Sequence, residues 1–210
     1  MKIQSIAALL LLSVVAFCTH AEESPNHLEP ESGPFFGVPH LYDSREIGLL
    51  QSRLPFGDIR VFIAPSFVPH WAISLDCSNG RLTIAHIRVK AKNRNQKHQY
   101  TVRLDEVDLE SRVTTRIATL INRHLAEVRY PPTFRAVLDG ETYHFASFDK
   151  QAGIRYGTTW SPEGEPLASL IALVYALEQL AFVSESEQSD QLKRVEAVLL
   201  AAENAATTTR

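Results

Sequence analysis

The sequence predicts an α+β domain, an antiparallel sheet built from β-hairpins and covered by three main helices. Three observations carry this. Asn79-Gly80 and Asp139-Gly140 each lie between apolar runs of strand type, and both dipeptides tolerate the positive φ of tight hairpin turns. Segments 109–128, 166–180 and 189–203 carry apolar residues at helical spacing. No regular strand–helix–strand alternation joins these elements, which disfavours a parallel sheet and its nucleotide-binding crevice. Neither GxGxxG nor GxxxxGK(S/T) occurs.

In chain order, residues 1–21 read as a signal peptide. Lys2 is the positive start, Ile6–Phe17 a short apolar run, and Thr19-His20-Ala21 a cleavage site before Glu22. Cys18 raises a lipid-anchored alternative, but Phe17 stands where that motif wants a small residue. No later run reaches the roughly 18 apolar residues of a membrane span. The expectation is a periplasmic or secreted protein with no stable span after cleavage. Residues 22–34 are acidic and proline-containing with one hydrophobe, Leu28, and read as a flexible leader. Residues 35–210 then form a single domain, long enough for a real core.

Within it, Ser44–Leu54 reads as a short helix and Ile59–Phe67 as a strand interrupted at Pro65. His70–Asp76 and Arg81–Lys92 form a hairpin on Asn79-Gly80. A two-residue turn there sets Ser78 opposite Arg81, Cys77 opposite Leu82 and Trp71 opposite Arg88, with Trp71, Ile73, Leu75, Leu82, Ile84 and His86 on one face. Cys77 on that apolar face reads as a buried thiol with no histidine partner, and cleavage after Ala21 would leave it the lone cysteine. A second hairpin joins Leu82–Lys92 to Gln99–Leu104 and puts Ile87, Val89, Tyr100 and Val102 on the opposite face. Either both faces are covered or a bulge near His86 switches the pleat.

Asp108 can cap a helix over 109–128 with Val113, Ile117, Leu120, Ile121 and Leu125 as its stripe, stopped by Tyr130-Pro131-Pro132. A third hairpin, Phe134–Leu138 with Glu141–Phe148, turns at Asp139-Gly140, and a short strand follows over Ile154–Trp160. Pro166 opens a helix so apolar that most of its sides must be buried. The last helix spans about 189–203.

No catalytic motif emerges. The seven histidines after residue 21 show no HxH or HxxxH spacing, so no metal site is read, and GxSxG and HExxH are absent. No cofactor is implied. Asp139, Glu141, Tyr143 and His144 form the most enzyme-like cluster, but the pleat points His144 away from Glu141 and Tyr143.

Charge is more informative. From Cys77 to Leu104 there is no acid and seven basic residues, in a chain that after residue 21 carries 20 basic and 24 acidic residues. Arg88, Lys90, Lys92, Arg94, Lys97 and His98 therefore make a basic hairpin rim suited to an anionic partner, protein or other envelope component. Lysine and arginine also protect exposed hairpins from edge-to-edge association. The net charge of -3 argues against nucleic-acid binding.

These readings point to an exported, non-catalytic binding protein, such as an inhibitor- or immunity-like protein. One alternative is an envelope hydrolase assembled from dispersed residues, His144 or His86 with nearby acids. Another is a ligand-binding module using the aromatic surface around Tyr156 and Trp160.

Overall fold

The computed structural model describes residues 26–30, 44–90, 99–130, 139–149 and 153–208. Its elements are α1 (Ser44–Arg53), β1 (Ile59–Pro65), β2 (Trp71–Asp76), β3 (Arg81–Lys90), β4 (Gln99–Asp108), α2 (Ser111–Ala126), β5 (Glu141–Asp149), β6 (Gly153–Trp160), α3 (Leu167–Glu178) and α4 (Glu185–Thr208). A 3-10 turn at Gln179–Ala181 extends α3. The strands form one antiparallel sheet in the order β4-β3-β2-β1-β5-β6, and the fold is α+β. β1 ends at Pro65, the residue that cannot donate to the ladder.

The pleat gives the sheet two apolar faces. Ile59, Val61, Ile63, Trp71, Ile73, Leu75, Leu82, Ile84, Tyr143 and Phe145 meet α2, α3 and α4 in the main core. α2 contributes the expected stripe of Val113, Ile117, Leu120, Ile121 and Leu125, and α3 buries Leu167, Leu170, Ile171, Leu173, Val174 and Leu177. On the opposite face α1 sets Leu50 and Leu54 against Phe62, Ala72, Ala85 and Ile87, with Tyr100 and Val102 at the margin. Both faces are therefore covered. The β3–β4 ladder runs without interruption from Arg81↔Asp108 to Lys90↔Gln99, so there is no bulge at His86.

The first hairpin keeps the expected faces but not the expected partners. Asp76 pairs with Arg81, leaving Cys77–Gly80 as a four-residue turn, and Leu75 rather than Cys77 stands opposite Leu82. The cause is the Asp76 carboxylate, which accepts hydrogen bonds from the Ser78 and Asn79 amides at 3.0 and 3.2 Å and from both side chains. Those bonds hold its pKa below the ordinary carboxylate value, the Ser78 hydroxyl contributing most. A two-residue slip preserves side-chain parity, so the apolar face survives it. Gly80 has φ +68, and a Cβ there would lie 2.5 Å from the Leu109 carbonyl oxygen. That tight crossing carries the chain past the turn.

Asp108 does not cap α2. It is the last residue of β4, opposite Arg81, and Glu110 precedes the helix with no side-chain capping bond. α4 begins earlier than expected because the Glu187 carboxylate reaches back over its start and accepts hydrogen bonds from the Ser184 amide and hydroxyl at 3.2 and 2.7 Å. α2 and α4 are joined by a two-pronged link from Arg116 to Glu203 at 2.9 and 2.6 Å.

Phe134–Leu138 lies outside the described residues; the described neighbours of β5 are β1 and β6. Within the stretch expected as a leader, residues 26–30 lie along β6. Glu29 exchanges two 2.8 Å backbone bonds with Thr158, and the Arg129 amide donates to the Leu28 carbonyl at 3.1 Å. Leu28 is fully buried in the main core, over Gly157.

Candidate functional site

The basic ribbon is built by β3 and β4. Alternation puts Arg88 and Lys90 on the same face as His86, beyond the last buried side chains, and both are exposed. Among the described residues they have no carboxylate partner. Two other basic residues of this acid-free segment do. Arg81 lies 3.6 Å from Glu106 and 3.5 Å from Asp108, and Arg103 donates to Asp105 at 3.0 and 2.6 Å and to the Ala181 carbonyl at 3.1 Å. These acids sit just past Leu104, where the acid-free count ends, so β4 itself offsets part of the ribbon's charge. Lys92, Arg94, Lys97 and His98 lie outside the described residues.

At the base of the ribbon the two-residue shift has a consequence. His86, not Arg88, faces Trp71 and stacks on it, with ring centroids 5.8 Å apart and planes 22° apart. Its other neighbour is Phe182 at 5.0 Å, and its Nε2 is 2.9 Å from Glu178 Oε1. Trp71 also meets Tyr175 at 5.7 Å. The hydroxyls of Tyr175 and Tyr143 both donate to Glu141 Oε2. Burial first, and then this carboxylate, push Tyr175 up to about 12 and Tyr143 higher still. Protonated phenols holding a carboxylate are a structural arrangement rather than an acid–base pair poised near neutrality. His144 is buried on the other face of β5, so the sheet separates it from Glu141 and Tyr143.

Cys77 is half-buried in the first turn, its Sγ 3.8 Å from the Thr114 carbonyl oxygen. Burial and the Asp58 carboxylate push the thiol up to about 12, which leaves almost no thiolate at neutral pH. Among the described residues no three His, Cys, Asp or Glu side chains converge as a metal site.

The aromatic surface on β6 divides. Trp160 sits at the far end against Gly140. Tyr156 lines a cleft of about 120 Å³ with Phe56, Arg60, Phe148 and Ile154, on the sheet face that also carries α1. The sequence reading passed over Arg60, although a lone charge inside the apolar strand IRVFIAP is a visible signal. No family model matches the chain, and no curated protein matches it.

Proposed function

We propose that the protein is exported and acts as a non-catalytic binding protein, docking an anionic partner with the end of the β3–β4 ribbon. The observation that supports this best is the contrast between Arg81 and Arg103, each paired with carboxylates, and Arg88 and Lys90, exposed side by side without one among the described residues. Arginine offers a carboxylate or phosphate a planar fork, and lysine a mobile point charge. Export rests on Lys2, the apolar run Ile6–Phe17 and the Thr19-His20-Ala21 site. No helix among the described residues is long and apolar enough to cross a membrane.

The His86–Glu178 pair is the best foothold for a hydrolase. It lies between Trp71 and Phe182, with no serine or cysteine hydrogen-bonded to it among the described residues, which favours binding over catalysis.

The test is capture from envelope and secreted fractions by the immobilised mature protein, compared with Arg88→Glu/Lys90→Glu and Arg88→Lys. The expected result is a partner that the wild type and Arg88→Lys retain and the double reversal loses. Its association rate should fall as salt rises. A partner held equally by the double reversal, with no salt dependence, overturns the proposal.

A further inference from the structure

Arg60 is the one charge in β1, and the other six residues of that strand are all buried. Its hydrogen bonding is thin. Nη2 donates to the Leu54 carbonyl at 3.4 Å, and the buried Nε has no partner. Asp58 shares the cleft but accepts the Cys77 amide at 2.8 Å, and among the described residues no carboxylate pairs with Arg60. Burial lowers the Arg60 pKa. A partly desolvated cation with an unsatisfied donor lacks the partner that such groups ordinarily have.

The cleft around it is aromatic. The guanidinium carbon lies 4.9 Å from the Phe56 ring centroid, and Phe56 meets Phe148 edge-to-face at 5.7 Å and 73°. Phe56, Phe148 and Ile154 are 68%, 40% and 50% exposed, so three large apolar side chains ring one opening. Exposed apolar side chains gathered around a convergent charge mark a recognition site more often than an ordinary surface. An enclosed apolar cavity of roughly 150 Å³ accepts benzene. This cleft, about 120 Å³ and open on one side, has room for a ring that projects partly into solvent.

We infer that this cleft binds a small aromatic carboxylate, its ring against Phe148 and Ile154 and its carboxylate on the Arg60 guanidinium. The occupant supplies both things that the cleft lacks, an anion for Arg60 and apolar cover for the ring of exposed side chains. The site is separate from the basic ribbon and does not depend on it.

The test uses benzoate and its neutral isostere benzamide as probes, each titrated to roughly 10 mM against the folded protein by calorimetry and ligand-observed NMR. Benzoate should bind at least about tenfold more tightly than benzamide. In Arg60→Gln that preference should fall below about threefold, while Phe148→Ala should weaken both ligands. Arg88→Glu/Lys90→Glu should leave benzoate binding unchanged. Equal binding of benzoate and benzamide to the wild type overturns the inference, as does no benzoate saturation at that concentration. Loss of benzoate in the ribbon variant overturns it too, by moving the anion to the ribbon. The wild-type comparison needs no substitution, so poor folding of Arg60→Gln does not obscure the outcome.

Discussion

Leu28→Ala tests whether the segment before the first helix is part of the fold. Leu28 is 0% exposed, and its side chain fills the space over Gly157 against Val128. Cutting a fully buried leucine to alanine removes its transfer energy and leaves a cavity, together about 2–5 kcal/mol. For a chain of this size each kcal/mol lowers Tm by about 2–4 °C, so the midpoint should fall by roughly 5–15 °C. Urea unfolding of the protein, followed by circular dichroism, gives the free energy directly. A second substitution sharpens the reading. A Cβ on Gly157 would lie 2.9 Å from Val128 Cγ2 and 3.0 and 3.1 Å from Leu28 Cβ and Cδ1, so Gly157→Ala must displace one of them. With Leu28 already cut to alanine, part of that clash is gone. The double variant should therefore lose less than the sum of the single losses, by about 1 kcal/mol. A Leu28→Ala loss under about 0.5 kcal/mol, the scale of a surface substitution, would refute the docking of residues 26–30. Strict additivity would refute the packing of Leu28 on Gly157.

Three further outcomes follow from the half-buried Cys77 and the buried His124. Cys77 should react slowly with thiol reagents until the protein unfolds, since burial and Asp58 hold the thiol protonated; fast native labelling would contradict this. Cys77→Ser should cost no more than about 1 kcal/mol, because a hydroxyl beside the Thr114 carbonyl has an acceptor within reach. His124 is buried on α2, and burial lowers its pKa below 6.5, with Arg123 adding to the effect and Glu127 opposing it. The unfolded chain then binds the proton more readily, so stability falls as pH drops below 6.5 towards the folded pKa. His124→Gln should flatten that slope, and an unchanged slope in urea titrations from pH 7 to 5 would show that other groups cause it.

Much of the fold was legible because period and turn chemistry are local. The stripe of α2, the apolar girth of α3 and the two faces of β3 follow from spacing, and parity survived a two-residue error in register. What the sequence hid was long-range. Asp76 reads as an ordinary strand end until its carboxylate is seen closing the turn. Leu28, alone among polar residues, gave no periodic signal, and its slot exists only where Gly157 of a distant strand leaves room. The ribbon's charge was legible as composition, but its cancellation by Asp105, Glu106 and Asp108 required the β3–β4 register. The Arg60 cleft gathers residues from the end of α1 through β1 and from β5 and β6, and only the sheet order brings them together.

The paired cations show what an unpaired one means. Arg81, Arg103 and Arg116 each lie within 4 Å of a carboxylate and link neighbouring elements or hold a strand to the helix layer. The chain has 24 acidic residues against 21 basic, so shortage of acids does not explain a cation without one. For Arg88 and Lys90 solvent provides the compensation. For Arg60 solvent is partly excluded and the described residues supply almost nothing, so in the free protein its charge should oppose folding. Arg60→Met keeps a long apolar stem against Phe56 and removes the charge. Thermal and urea unfolding of this variant should show stability unchanged or raised, by up to about 1 kcal/mol. Arg116→Met should behave oppositely and modestly, losing about 1 kcal/mol or less, because it strands Glu203 at a partly exposed site. A loss above about 1 kcal/mol in Arg60→Met would mean that the guanidinium holds the sheet together as it stands. Arg60 would then need no ligand to explain it.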